Sequence, residues 1–131
     1  MRPASQNSRT IQVGRAMSAL AILFLLFDTV IKLIQHPSAV EGTMKLGYPE
    51  GVILGIGIVE LLCLALYAYP RTAVTGAVLL TGYLGGAIAT HVRIGSPLLS
   101  HTLFPIYVAA LLWGGLYLRE ERLRSLLPVR R

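Results

Sequence analysis

The chain has 131 residues, of which 54% are hydrophobic and only 14% are charged, and its formal net charge is +6. A soluble domain of this size could not bury so much apolar sequence, which excludes an ordinary soluble protein and indicates one membrane-embedded domain. The positive charge is typical of a membrane protein whose basic residues meet anionic headgroups. We therefore expect the lipid bilayer as a partner and no binding of nucleic acid.

Four apolar segments follow one another along the chain, each of about the length that a helix needs to cross a bilayer. They predict transmembrane helices at residues 16–34, 51–69, 72–92 and 98–118. The last three are joined by short connections, so they must be antiparallel neighbours. The sequence predicts an all-α fold, an integral membrane four-helix up-down-up-down bundle. Residues 35–50 are predicted as a surface loop on the outer side with a short interfacial turn.

The N-terminal segment has a second interpretation, a cleaved secretory signal. Three arginines, Arg2, Arg9 and Arg15, precede its apolar run, as they would in a signal peptide. The hydrophobic pattern continues past Asp28, however, and no small-x-small cleavage site follows. An uncleaved first transmembrane helix is the favoured interpretation.

Basic residues are distributed unevenly between the two sides of the predicted bundle. Nine of the twelve lie in the arm at residues 1–15, the connection between the second and third helices, and the tail at residues 119–131. The positive-inside rule then places both termini in the cytoplasm of a multi-pass protein of the cell (inner) membrane. The arm and the tail are predicted as cytoplasmic basic segments, and residues 16–118 as the membrane domain.

Glycines recur four residues apart in two of the predicted helices, as Gly51 and Gly55 and as Gly82 and Gly86, with Gly57, Gly76 and Gly85 nearby. Small residues at this spacing let helix backbones approach closely in lipid. The pattern predicts packing grooves, with a ligand groove formed by the same missing side chains as the less favoured alternative.

Ionisable residues in the predicted spans gather between the bilayer middle and the outer face. Asp28 and Lys32 lie one turn apart on the first helix with the acid first, the better order for an ion pair, and Glu60 lies near the middle of the second. A charge at the centre of a helix costs about 2.5–3.5 kcal/mol, so such residues turn inward and find partners. The candidate ligand-binding residues are Asp28, Lys32, Glu60, His91, Arg93 and His101.

Each part of this constellation has a structural alternative. Asp28 and Lys32 could form a local ion pair that neutralises itself. Glu60 could be a protonated side chain bonded to another helix, or a carboxylate that Lys32 or Arg93 reaches. It could also bind a ligand or a proton in a cavity that opens outward, which is the favoured interpretation for an intramembrane carboxyl group.

Metal and catalytic chemistry have little support in the sequence. His91 and His101 flank a short turn and could hold a metal or haem with His36 as a third ligand, but the spacing fits no metal motif. Cys63 is the single cysteine, so a dithiol redox role would need a partner protein. We predict no metal, assign no catalytic residue, and expect that the chain is not an enzyme by itself.

The segment "LGYPEGVILGIGIVELLCLALYAYPRT" followed by "GAVLLTGYLGGAIATHVRIGSP" resembles the DoxX-like family of small four-helix membrane proteins. The resemblance includes Lys32–Leu33, Leu46–Pro49, Glu60 and Ala87–Arg93, and runs from about residue 15 to 118. It implies a four-helix integral membrane bundle. The family takes its name from a subunit of an archaeal thiosulfate:quinone oxidoreductase, so a quinone is a possible cofactor by this resemblance only.

Three classes of function follow. The favoured one is a membrane subunit or accessory protein of a redox or stress-response system, with an outward-facing polar site for a small polar molecule or a quinone head. The second is a structural or assembly protein without a ligand site. The third is a proton-coupled permease, which at 131 residues would need a homo-oligomer. A membrane or redox protein partner or a homo-oligomer is expected.

Overall fold

The structure, a computed structural model, describes residues 4–126 and the side chains of residues 8–126. Within that range it has no β-strand, so the all-α prediction is confirmed. The helices are α1 (Ala4–Leu33), α2 (Pro37–Lys45), α3 (Val52–Ala68), α4 (Ala73–Ile94), α5 (Phe104–Arg119) and α6 (Glu121–Leu126). A 3₁₀ turn, Pro70–Thr72, precedes α4, and a single π-helical turn, Leu98–Thr102, precedes α5.

Three helical stretches are long and apolar enough to cross a membrane, namely Ser8–Leu33, Pro70–Ile94 and Leu98–Arg119. At most 28% of the residues in the apolar window of each stretch are buried inside the protein, so the remaining apolar side chains face outward. The fourth apolar helix, α3, has 17 residues and is about 25 Å long, somewhat shorter than a bilayer core of about 30 Å. Three to four helices can therefore span a membrane.

The four long helices pack in a ring in which α1 and α4 each contact both α3 and α5. Glycine allows the closest crossings. A β-carbon at Gly115 would lie 2.7 Å from the backbone nitrogen of Ser18, and one at Gly14 would lie 2.7 Å from the carbonyl oxygen of Gly115. A β-carbon at Gly76 would collide with the backbone of α3 at Tyr67. Backbone atoms cannot move aside as side chains can, so these contacts fix how closely α1 meets α5 and α3 meets α4.

The glycine pairs that the sequence singled out for packing do not pack. No heavy atom lies within 4 Å of a β-carbon built on Gly51, Gly55, Gly82 or Gly86. The prediction was wrong for these two pairs, although Gly57 and Gly76 nearby do lie against other helices. A four-residue spacing places two glycines on the same face of a helix without saying whether that face meets another helix.

Buried apolar side chains fill the half of the ring nearest the Pro70–Thr72 turn. Tyr67 is fully buried there and its hydroxyl donates to the carbonyl oxygen of Leu112 at 2.6 Å. The Ser18 hydroxyl lies 2.9 Å from the Tyr67 hydroxyl and accepts from Arg119 Nε at 3.1 Å. Cys63 is buried in the same core as a free thiol. This half of the protein is closely packed.

The connection between α1 and α3 contains a nine-residue helix, α2, where the sequence predicted a surface loop with a short interfacial turn. Pro37 stands in its first turn, where the missing N–H costs nothing, and the His36 ring accepts from the Ser38 N–H at 3.2 Å. The helix ends before Gly47, whose φ of +94° favours glycine. Local capping signals therefore define α2 better than its hydropathy does.

Two predicted helix bounds also differ from those of the structure. The first helix begins at Ala4 rather than residue 16, because hydropathy detects the apolar window and not the polar turns that continue the same helix. The last predicted helix is interrupted before Phe104, and Pro105, which has no N–H, stands in the first turn of α5. The predicted arm and tail include residues 1–3 and 127–131, which lie outside the described residues.

Candidate functional site

A cluster of four polar side chains joins α1, α3 and α4 around the ammonium group of Lys32. Side chains on a helix tilt toward its N-terminus, so Lys32, near the end of α1, reaches back toward the middle of the bundle. Its Nζ donates to Asp28 Oδ2 on the same helix, to Glu60 Oε1 at 3.0 Å and to the Tyr83 hydroxyl at 2.7 Å. The three N–H groups of the ammonium thus meet three acceptors. Asp28, Lys32, Glu60 and Tyr83 are called the Lys32 cluster below.

Glu60 is the most deeply placed member of the Lys32 cluster, with none of its surface exposed. Its Oε1 accepts from Lys32 and, at 3.1 Å, from the Tyr83 hydroxyl. Its Oε2 is buried without a hydrogen-bond partner among the described residues. Lys32 also lies 5.4 Å from the centroid of the Tyr83 ring, a cation–π contact. Of the alternatives for Glu60, the structure therefore shows contact with Lys32.

A cavity of about 980 Å³ lies beside the Lys32 cluster and is open to the surface. Asp28, Lys32 and Tyr83 line it, whereas Glu60 lies behind them. Most of the wall is apolar, and sites for small molecules typically combine about 300–1,000 Å³ with apolar walls and a few polar groups. The principal apolar lining side chains are Phe24, Leu25, Val52, Ile56, Val59, Leu84, Phe104 and Val108.

Glycines widen this cavity. Gly55 of α3 and Gly86 of α4 line it, as does Gly42 of α2, and none of the three has a heavy atom within 4 Å of a β-carbon built on it. Gly85, next to Gly86, also has free space around it but does not line the cavity. The less favoured interpretation of the glycine pattern, a groove formed by missing side chains, therefore describes Gly55 and Gly86.

One end of the cavity lies against α2 and the segment that follows it. Tyr48 holds this segment to α4 by a hydrogen bond of 3.0 Å between its hydroxyl and that of Thr90. Arg93 Nη2 donates to the carbonyl oxygen of Leu46 at 2.9 Å. Arg93 is exposed and does not line the cavity, so its observed contact positions the backbone after α2.

His91 and His101 both line the cavity, on the side of the turn between α4 and α5. Their rings meet edge to face with centroids 5.8 Å apart. Each uses Nδ1 for a serine hydroxyl, Ser96 at 2.9 Å for His91 and Ser100 at 2.7 Å for His101. Over residues 4–126 the structure brings together no group of three or more His, Cys, Asp or Glu side chains that could hold a metal ion.

Tyr83, which bonds to both Lys32 and Glu60, was not among the residues predicted from the sequence. A signal was present, because a phenolic hydroxyl in the middle of an apolar helix needs a hydrogen-bond partner as a carboxyl group does. Tyr48 was missed as well, since its contact with Thr90 depends on how the connection folds back on α4.

The sequence of residues 16–115 matches the model of the DoxX-like family. The chain belongs to the DoxX-like family. Together with the apolar helices, this makes it a membrane protein that contacts the lipid bilayer. No curated protein and no solved structure is significantly similar to this DoxX-like protein.

Proposed function

We propose that this DoxX-like protein binds a small amphiphilic molecule in the cavity beside the Lys32 cluster. It would do so as a membrane subunit or accessory protein of a redox or stress-response system. The observation that carries the proposal is the position of Asp28, Lys32 and Tyr83, three hydrogen-bonded polar side chains on the wall of an otherwise apolar cavity. An apolar body fits such walls, and a polar head fits the cluster.

The proposal includes four membrane spans in an up-down-up-down bundle with both termini in the cytoplasm. Contacts at both ends of the α1–α5 crossing support antiparallel packing. Gly14, early in α1, lies against Arg119 at the end of α5, and Phe24, further along α1, meets Phe104 at the start of α5 with ring centroids 5.1 Å apart. The excess of basic residues at the termini supports the orientation, in which the cavity opens toward the outer side.

A structural role is the competing explanation, because buried ion pairs can serve only to fix helix register. The cavity favours a ligand. The opposite half of the ring is filled with apolar side chains around Tyr67 and Leu112, whereas this half leaves about 980 Å³ open beside its charged groups. Protein interiors are close-packed, and a scaffold would gain stability by filling that space.

The assignment to a redox or stress-response system rests on the family alone. A partner protein of that system, or a second copy of the chain, would complete the assembly. A quinone is the redox-active amphiphile that the family name suggests, and it stays a candidate on that ground only.

Filling the cavity tests the proposal. Gly86→Leu places a side chain in the cavity, and Gly85→Leu places the same side chain on the neighbouring position outside it. In a deletion strain of the native host, we expect wild type and Gly85→Leu to restore survival under hydrogen peroxide and Gly86→Leu to fail, at equal membrane abundance. Equal restoration by the two variants would point to a structural role instead.

A further inference from the structure

We propose that the ligand of this cavity has a hydrogen-bond-donating head, an ammonium or a hydroxyl group, and that the Asp28 carboxylate receives it. This inference rests on the proposed function, because it specifies the chemistry of the molecule that the cavity takes. It follows from counting which hydrogen-bonding groups of the Lys32 cluster are already in use.

Lys32 is the obvious partner for an anionic head, but its donors are occupied. An ammonium has three N–H groups, and those of Lys32 point to Asp28, Glu60 and Tyr83. Two of the three acceptors are carboxyl groups, which bind an ammonium more strongly than a neutral acceptor does. An incoming carboxylate or phosphate would have to displace one of these bonds and would meet two carboxyl groups at the same place.

Tyr83 and Glu60 do not present a free hydrogen-bond donor to a ligand either. The one O–H of Tyr83 donates to Glu60 Oε1 at 3.1 Å, and its oxygen accepts from Lys32. Glu60 is fully buried behind the wall and does not line the cavity. Neither side chain therefore presents a free donor to the cavity.

Asp28 is the member of the cluster with an acceptor to spare. Its Oδ2 accepts from Lys32, and a carboxylate has about four acceptor positions, so the bond to Lys32 does not use up its capacity. Its side chain keeps 31% of its surface exposed and lines the cavity, against 15% for Lys32. A carboxylate oxygen accepts hydrogen bonds and donates none. Where the cavity meets the Lys32 cluster, its wall thus offers an acceptor, and a ligand head bound there must supply the donor.

The other titratable groups at the cavity lie on other elements. Lys45 lines it from the last turn of α2, and His91 and His101 line it from α4 and the following turn, each with one ring nitrogen free of protein bonds. Lys45 is the group to which an anionic ligand would be drawn. An anionic head would therefore bind near Lys45, whereas a hydrogen-bond-donating head would bind near Asp28. An experiment can distinguish these two modes of binding.

The experiment uses four probes with the same eight-carbon skeleton, octylamine, octanol, 2-octanone and octanoate. At pH 7 the amine is a cation and the acid an anion, by analogy with the lysine and carboxyl groups of proteins. Binding to the full chain in lipid nanodiscs is measured by titration calorimetry, with empty nanodiscs subtracted for partitioning. Gly86→Leu and Gly85→Leu serve as the filled-cavity variant and its matched control, and Asp28→Asn removes the charge of the acceptor.

We expect octylamine or octanol to bind wild type and Gly85→Leu at least about tenfold more tightly than 2-octanone or octanoate, because a hydrogen bond to a charged group is worth about that factor or more. Tighter binding of octylamine than of octanol would indicate that the ligand has an ammonium head. Nearly equal affinities of the two probes would indicate a hydroxyl head. Asp28→Asn should reduce the preference for octylamine about tenfold. If that variant unfolds, the wild-type ranking together with loss of binding in Gly86→Leu carries the test.

Tightest binding of octanoate or 2-octanone, abolished by Gly86→Leu, would overturn this inference and leave the cavity as a ligand site. Failure of all four probes to bind beyond the empty nanodiscs would overturn both the inference and the proposed function.

Discussion

At the residue scale, the ammonium of Lys32 holds together two carboxyl groups that would otherwise repel each other. Asp28 and Glu60 both accept from the same nitrogen, so their carboxyl groups lie side by side. Away from bulk water, this arrangement is far more sensitive to the loss of one member than a surface ion pair would be.

Replacing Lys32 with Met should therefore destabilise the protein strongly. The variant keeps the length of the side chain but leaves two adjacent carboxyl groups without their cation, which we expect to cost about 3 kcal/mol. Lys45→Met, at an exposed position for which the structure shows no ion pair, is the matched control. Thermal unfolding in detergent compares the two, and equal stability would show that the network contributes little.

Replacing Glu60 with Gln separates a functional carboxylate from a structural one. The amide oxygen can still accept from Lys32 and Tyr83, so we expect membrane abundance to be unchanged and stability to change by less than about 1 kcal/mol. Loss of the negative charge leaves Lys32 less neutralised next to Asp28, which weakens the attraction of a donor head.

Survival of the deletion strain under hydrogen peroxide should then fall with Glu60→Gln. The control is Glu60→Leu, which removes the acceptor and should reduce stability by about 1–3 kcal/mol as Lys32 and Tyr83 lose a partner. Full survival with Glu60→Gln would favour the structural role.

The sequence predicted part of this network and left part of it open. Asp28 and Lys32 are four residues apart on one helix, so their pairing follows from helix geometry alone. The contact between Lys32 and Glu60 is different, because it depends on how α1 and α3 are rotated and displaced relative to each other. Helix packing sets this rotation and displacement. The sequence alone therefore could not choose between Lys32 and Arg93 as the partner of Glu60.

At the scale of the elements, the glycines of α4 have two separate roles. Gly76 lies directly against the backbone of α3, whereas Gly82 has open space around it. The two residues are on the same helix and are alike in sequence terms. Only the neighbouring helix distinguishes them.

Alanine substitution should therefore have opposite effects at these two positions. Gly76→Ala forces α4 away from α3 and should lower the free energy of unfolding by about 1–3 kcal/mol, as overpacking does. Gly82→Ala meets nothing and should raise it by up to about 1 kcal/mol, because alanine favours the helix. Unfolding of both variants in mixed detergent micelles measures the difference, and a loss of stability at Gly82 would contradict the structure.

The elements themselves were predicted where hydropathy is a sufficient signal. The apolar windows located α1, α3, α4 and α5, but not the polar turns at the start of α1 or the short helix α2. Helix ends depend on local backbone chemistry, such as the proline in the first turn of α5 and the positive φ of Gly47. Hydropathy averaged over a window of about twenty residues does not detect these features.

At the scale of the whole molecule, the proposed orientation in the membrane rests on the distribution of basic residues. We expect alkaline phosphatase fused after Glu41 to be active, because α2 lies on the outer side in the proposed topology, and a fusion after Arg119 to be inactive. A green fluorescent protein at the same two positions should give the opposite result. An active fusion after Arg119 would overturn the orientation and with it the outward opening of the cavity.

The sequence by itself determined that this protein lies in a membrane, that it is helical, and that it belongs to the DoxX-like family, because these properties depend on composition, apolar length and local motifs. It also identified Asp28, Lys32 and Glu60 as groups that need partners, since charge in an apolar span is costly wherever the helices lie. Tertiary structure decided which partners they have, which glycines pack and which leave space, and that a cavity adjoins the cluster. A cavity is the space that several helices fail to fill together, and no single helix carries that information.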